Sequence, residues 1–377
     1  MKILYVAASP IPSQAANSVH VIKMANALAN AGHKTILVSA EYCRNEPPPC
    51  TDEEMAAYYD VGTGFNLYRT QGALRGKIGA ILHTLQVWLL YLRFQPELVY
   101  SRCYFTAFFF SLLRIPVVFE SHNDYEKGSP TEKLFSTMAP RPSLTRIVVI
   151  SQALKEHFIK TYGIPADKIL VAADGADEAP ETSCPLERTT GTTQIGYVGH
   201  LYPGRGIDII IALAERLPDI GFHIIGGTAP DVAHWSAQAA KHPNLIFYGH
   251  TPHKKATQYL QSLDILVAPY QKKVTVSGGV GDTSRWMSPL KIFEYMAAGK
   301  PIICSDMPVL HEVLTPEINC LLCPPENVEA WATTIERLLA DKGLRDKLGA
   351  QAKQDLVTKY TWKARARRLL SELTGTQ

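Results

Sequence analysis

Apolar residues in this chain gather in short unbroken runs, and between the runs they recur every three or four positions. The first pattern fits a strand buried on both faces, the second an amphipathic helix. KILYVAA (2–8) reads as a strand. VHVIKMANALANAG (19–32) has helical periodicity and ends at a glycine, and KTILVSA (34–40) is the next strand, which makes a βαβ unit. The same alternation predicts helices over 73–95, 106–114, 130–138 and 152–163, with strands over 96–101, 116–121, 146–151 and 168–177. Residues 41–70 carry three consecutive prolines and the acidic run DEE at 52–54, and are expected to be irregular or to hold small local elements.

A polar stretch without periodicity, 178–193, separates this half from a second α/β series. Strands are expected at 194–201, 221–227, 244–250, 264–270, 301–304 and 320–325, with helices over 206–218, 228–242, 253–262 and 289–299. Three further helices follow, over 327–340, 345–356 and, basic and amphipathic, 361–373. The pattern predicts two doubly wound domains that form a cleft, with ligands at the carboxyl ends of the strands. The alternative, one closed α/β barrel, would need eight successive strands.

The chain has 377 residues, enough for two cores, and a net charge of +3 from 38 basic and 35 acidic residues. That balance argues against a nucleic-acid partner bound through bulk charge, but not against a local phosphate site. Seven cysteines are scattered; CLLC (320–323) has no second pair, so buried thiols in a reducing compartment are expected rather than a zinc or redox motif. The opening MKILYVAA has no long apolar core of a secretory signal. GAILHTLQVWLLYLRF (79–94) and CYFTAFFFSLLRIPVVF (103–119) are interrupted by polar residues or proline, and fall short of the ~20 apolar residues of a span. A cytoplasmic protein is predicted. Helix 73–94 has two readings. Arg75, Lys77 and Arg93 near its ends, with Trp88, Tyr91 and leucines between, suit a helix lying on anionic lipid at the inner membrane surface. A core helix with charged ends is the other reading.

The densest chemistry lies in SPLKIFEYMAAGKPIICSD (288–306), where Pro289 opens a helix, Glu294 stands on it and Gly299 ends it. A helix N-terminus offers unpaired N–H groups and positive potential to a diphosphate, and a carboxylate can accept from sugar hydroxyls. This segment resembles the donor-binding segment of nucleotide-sugar glycosyltransferases. With YVGHLYPGRGID (197–208), ESHNDYEKG (120–128) and ADGAD (173–177), the chain resembles retaining GT-B glycosyltransferases of family 4 (glycosyl transferases group 1), which include sucrose-phosphate synthases and lipid mannosyltransferases.

The resemblance implies two Rossmann-like domains facing a cleft. An acceptor domain over 1–180 would be completed by helix 361–373, and a donor domain would span 190–358. It implies transfer of a sugar from a nucleotide-diphosphate donor, with retention, to a glycan, lipid-linked or small-molecule acceptor. The nucleotide sugar is a cosubstrate, and no bound metal or other cofactor is expected. Gly199, His200, Arg205, Ser288, Leu290 and Lys291 would face the diphosphate, Glu294 the ribose, and Glu312 the nucleotide or its own loop. His122 would position sugar and acceptor, with Glu120 as its possible orienter. Ala16, Asn17 and Ser18 would meet acceptor or phosphate; Ser18 serves equally as the N-cap of helix 19–31. Asp174, Gly175 and Asp177 suit an interdomain turn.

Three departures stand out. His200 replaces an arginine common in the family, Ala15 and Ala16 replace paired glycines, and Trp286 occupies the place of a first glutamate eight positions before Glu294. Near that place, Gly279, Asp282, Thr283 and Ser284 offer sugar contacts instead. These departures keep two alternatives open, a non-catalytic carbohydrate-binding protein and a sugar-nucleotide epimerase.

Overall fold

The computed structural model describes residues 1–13, 15–40, 51–70, 76–187, 189, 193–275 and 281–375. Two compact units divide the chain, one of Met1–Ala173 with Trp362–Gln377 and the other of Asp174–Thr361. The division thus precedes the polar stretch 178–193, which lies within the second unit.

The first unit is built from β1 (Lys2–Val6), α1 (Ala16–Asn30), β2 (Lys34–Ala40), α2 (Asp52–Tyr59), β3 (Asn66–Thr70), α3 (Gly76–Phe94), β4 (Leu98–Ser101), α4 (Tyr104–Leu112) and β5 (Val117–Ser121). It continues through α5 (Pro130–Met138), β6 (Leu144–Val149), α6 (Gln152–Tyr162) and β7 (Ile169–Val171), and closes with the chain's last helix. Its seven strands lie parallel in the order β3-β2-β1-β4-β5-β6-β7. Leu4 in the centre pairs with Ile36 on one side and Val99 on the other. Ile3, Leu4, Tyr5 and Val6 are fully buried, as expected of a strand covered on both faces.

The second unit holds β8 (Gln194–Val198), α7 (Ile207–Arg216), β9 (Gly221–Ile225), α8 (Ala229–Gln238), β10 (Leu245–Gly249), α9 (His253–Ser262) and β11 (Ile265–Ala268). Then come α10 (Leu290–Ala298), β12 (Ile302–Ser305), β13 (Leu321–Cys323), α11 (Val328–Ala340) and α12 (Lys342–Asp355). Its six strands are parallel in the order β10-β9-β8-β11-β12-β13. Ile195, Phe222, Ile265, Ile303 and Trp331 centre its core. The final helix, α13 (Trp362–Thr374), belongs to the first unit and packs on α1.

Strand order reverses beside β1 in one sheet and beside β8 in the other. Loops leaving the two strands at such a point diverge and open a crevice at their carboxyl ends. Residues 7–13 and the start of α1 lie there in the first unit. In the second, the loops after β8 and β11 do.

Two elements fill the region expected to be irregular. α2 is opened by Thr51, whose hydroxyl accepts from the Glu54 amide while the Glu54 carboxylate accepts from the Thr51 amide, a complete capping box. β3 extends the sheet by pairing with β2. α1 begins at Ala16 with Ala15 as its N-cap, which overturns the capping role considered for Ser18.

α3 is buried on one side only, so it is a core helix on its inner face alone. Gly79, Ala80, His83, Thr84 and Val87 form its inner side, where His83 Nδ1 lies 2.9 Å from Thr70 Oγ1. Burial pushes His83 down to about 4, so the ring is neutral. On the outer side Ile78, Ile81, Leu82, Leu85, Leu89 and Leu92 are exposed, at the spacing of one helix face. Among the described residues, no helix is long and apolar enough to cross a membrane.

Candidate active site

In the second unit, the turn after β8 is set by backbone contacts. Gly199 has φ +145°, and Gly206, the N-cap of α7, has φ +76°. A Cβ on Gly206 would stand 1.8 Å from the Pro269 carbonyl oxygen, so only glycine lets this turn lie against the loop after β11.

Lys291 enters the same place from the first turn of α10, whose N-cap is Pro289. Side chains of a helix lean toward its N-terminus, and this one reaches Gly199. A Cβ there would meet Lys291 Cε and Nζ at 3.0 Å. The ammonium sits 3.7 Å from the Tyr197 ring centroid and 5.2 Å from that of Tyr270. It is buried and makes no hydrogen bond among the described residues. Burial holds its pKa well below the usual lysine value; Arg205 pushes the same way and Glu294 opposes them.

Arg205 lies beside it, with its guanidinium carbon 5.5 Å from the Tyr270 centroid and Nη2 donating to the Thr275 carbonyl at 3.2 Å. His200 stacks on Tyr202 at 4.8 Å. Burial, with Arg205 and Lys291 adding to it, pushes His200 down to about 4, so it is neutral near neutral pH. Glu294, one turn beyond Lys291, accepts from His253 Nε2 at 3.0 Å.

The first unit gathers a different set at the end of β5. Glu120 is buried. Its Oε1 accepts from His122 Nε2 at 2.5 Å and Arg365 Nη2 at 3.0 Å, with His20 Nε2 3.0 Å away, and its Oε2 accepts from the Tyr100 hydroxyl. Burial alone would raise the carboxyl pKa; Arg365, His20 and the His122 hydrogen bond outweigh it and hold it well below the ordinary range. His20, Glu120 and His122 bring three ligand atoms within 4.8 Å of one another, the donor set of a metal site. Arg365 already supplies a cation to that carboxylate.

Residues 181–355 match the family described as Glycosyl transferases group 1, and residues 18–180 match Glycosyltransferase Family 4. The chain belongs to this glycosyltransferase family. It is 24% identical over 233 residues to an uncharacterized glycosyltransferase of Methanocaldococcus jannaschii, a match covering 58% of this chain and 56% of the relative. The chain spans about half the length of the curated relatives it matches. Sucrose-phosphate synthase from Thermosynechococcus elongatus superposes over 100% of both chains at TM-score 0.75 and 16% identity. Anabaena HepE in complex with UDP does so over 100% of both at 0.71 and 14%. The fold is GT-B, two parallel sheets each interleaved with helices.

With the family known, each residue singled out in the sequence can be placed. Gly199, His200, Arg205 and Lys291 come together, and Glu294 lies on the same helix as Lys291. Leu290 is the first residue of α10. The Ser288 hydroxyl accepts from the Asp174 amide at 2.8 Å, so Asp174 and the start of α10 are tied within the second unit. Asp282 is exposed and braces its loop: Oδ1 accepts from the Val274 amide at 3.1 Å and the Ser284 amide at 2.9 Å. Those amides lower its pKa against the opposing effect of desolvation. Thr283 donates to the Val274 carbonyl and Ser284 is buried, so this loop is internally bonded. Gly279 lies outside the described residues. Glu312 is exposed at the end of a short turn, Pro308–Glu312, after β12.

In the first unit, Ala16 opens α1 and the Asn17 amide donates to Ser9 Oγ. Ser18 is fully buried, donates to the Ser13 and Ala15 carbonyls at 2.8 Å and accepts from Tyr59 at 3.0 Å, a structural role rather than an acceptor contact. Trp286 is buried under Arg285, whose guanidinium lies 4.6 Å from its ring centroid. His20, Tyr100, His253 and Arg365 were not singled out from the sequence. Of these, only His20, two positions after Ser18, lies beside a recognised motif.

An amine whose pKa is lowered by burial takes up a proton when an anion binds beside it. Binding of inorganic pyrophosphate should therefore take up a proton at pH values between the depressed and restored pKa of Lys291, and affinity should rise as pH falls through that window. Calorimetry in two buffers of different ionisation enthalpy reads the uptake. Comparison with Lys291→Met cancels the ligand's own protonation. Equal uptake by both proteins would contradict the assignment.

Proposed function

We propose that this protein transfers a sugar from a nucleotide-diphosphate donor to a glycan, lipid-linked or small-molecule acceptor, with retention of configuration. One observation carries the donor half of this reading: a buried Lys291 ammonium without a hydrogen-bonding acceptor among the described residues, at the start of a helix and against a glycine turn. That combination of fixed dipole, charge and close backbone approach suits a diphosphate. Anabaena HepE, of the same fold, is described in complex with UDP-glucose, which supports a nucleotide sugar as cosubstrate.

Lys291 and Arg205 neutralise the diphosphate and favour its departure as an anion, while Glu294 accepts from the ribose hydroxyls. No protein-held metal or other cofactor is needed in this scheme, since the helix N-terminus and two basic side chains supply the positive charge. His122 positions sugar and acceptor hydroxyls. In a same-face substitution the leaving phosphate takes the proton of the acceptor hydroxyl as the new glycosidic bond forms.

The exposed face of α3 supplies a place to meet a lipid-linked acceptor. Within Gly76–Phe94 the charged residues are Lys77 and Arg93, both basic and exposed, and no acidic side chain interrupts that span; Arg75 lies outside the described residues. An apolar stripe flanked by cations is complementary to an anionic leaflet, so we assign α3 as a peripheral contact on the cytoplasmic membrane surface.

Incubation with a panel of nucleotide sugars and acceptors tests the reaction. Nucleotide release coupled to a glycoside of retained configuration, persisting under chelation, is expected. Conversion of the nucleotide sugar alone would make the protein an epimerase, and binding without turnover a carbohydrate-binding protein. Arg205→Ala and Glu294→Gln should each weaken donor binding by about 1.5–3 kcal/mol, roughly tenfold to a hundredfold. His122→Ala should lower turnover more than nucleotide affinity.

Membrane contact is read by co-sedimentation with vesicles containing phosphatidylserine or phosphatidylglycerol. The protein should partition to them more than to neutral vesicles, and Ile81→Gln with Leu89→Gln should abolish most of that binding. Equal partitioning to both vesicle types would overturn the electrostatic part of the assignment.

A further inference from the structure

We propose that Glu120 is a positioning residue that fixes the tautomer and orientation of His122, and that Arg365 of α13 holds the Glu120 carboxylate in place for this purpose. The inference rests on the reading that His122 works on sugar or acceptor hydroxyls.

Strand geometry makes the pair possible. Residues two apart on a strand project to the same face, so Glu120 in β5 and His122 just beyond it face the same side. The carboxylate has no exposed side-chain surface; its Oε1 accepts from His122 and Arg365 with His20 Nε2 3.0 Å away, while Oε2 accepts from the Tyr100 hydroxyl. Burial and the Glu120 charge hold that hydroxyl protonated, so Tyr100 remains a donor. A buried carboxylate surrounded only by donors is an acceptor and nothing else.

His122 must therefore carry its proton on Nε2 to complete the 2.5 Å contact. With a single proton on the ring, the lone pair is on Nδ1, the nitrogen able to accept from a hydroxyl. The ring is also kept from turning: His20 meets it edge to face at 4.8 Å, and Trp362, from the start of α13, meets His20 at 5.1 Å.

Arg365 is held as firmly as the group it serves. Its Nε donates to the Ala173 carbonyl at 3.0 Å, and Nη2 to the Ala172 carbonyl at 3.2 Å as well as to Glu120. The planar guanidinium can satisfy two backbone carbonyls and a carboxylate at once, which a lysine ammonium in that place would do less well. The His20–Glu120–His122 group thus resembles a metal donor set, but its charge is balanced by a side chain of the protein. Its effect is orientational, and such effects reach a hundredfold in rate when a reacting group is displaced by about 1 Å.

The test uses the full chain with isotope-labelled histidine. Long-range proton–nitrogen correlation near neutral pH reports the His122 tautomer, assigned through the signal lost in His122→Asn. The wild type should show the Nε2–H form. Glu120→Gln should lose or mix that form and lower turnover about tenfold to a hundredfold, with donor affinity within about twofold of wild type. Should Glu120→Gln not fold, Glu120→Asp, which keeps the charge but withdraws it by one methylene, should shift the tautomer and turnover in the same direction. A wild-type Nδ1–H form, or a folded variant with unchanged spectrum and turnover, would overturn the proposal. If no donor is turned over, the glycosyl-transfer reading fails, while the tautomer measurement still decides the positioning claim.

Discussion

Taking an ion out of water costs several kcal/mol unless partners offset it, and each unit of this protein buries an ionisable group near the place where its strand order reverses. The two groups are treated differently. Glu120 is surrounded by Arg365, His20, His122 and Tyr100, so it remains ionised in the empty protein. Lys291 has aromatic faces around it and no hydrogen-bonding acceptor among the described residues, so burial drives it toward its neutral form. The first arrangement is complete within the protein. The second would be relieved by a bound anion, the basis of the proposed donor site.

Both arrangements depend on the parallel sheets. A reversal of strand order separates two neighbouring loops, and the fold fills the space with helix starts and tight turns. Near β8 those are the Gly199 turn and α10, with Gly206 allowing the loop backbones to touch. Near β1 they are α1, which carries His20, and the end of β5. The contribution of α13 is physical as well as topological: it brings Arg365 to a carboxylate 245 positions earlier in sequence.

Much of the framework was legible because hydrophobic period is a local signal. The helices at 130–138 and 253–262 were predicted to the residue, and the strand at 34–40 likewise. β3 was not, because NLYRT is a short edge strand with a polar alternation and no apolar run. The α2 capping box was readable in Thr51 and Glu54, but the surrounding prolines obscured it. Among site residues, Lys291, Glu294, Gly199 and His122 lie inside continuous motifs. His20 on an apolar helix face looks like any buried histidine, and Arg365 in a basic tail looks like a solvated charge. Their roles depend on contacts that no local pattern encodes.

The central claim is that the buried Lys291 amine is the cation that binds a donor diphosphate. A crystal structure of the protein bound to a nucleoside diphosphate tests it most directly. The account predicts phosphate oxygens about 3 Å from Lys291 Nζ and from the Arg205 guanidinium, with a ribose hydroxyl on Glu294. A nucleotide bound elsewhere, or bound with Lys291 still enclosed by Tyr197 and Tyr270 and beyond reach of any phosphate oxygen, would contradict it.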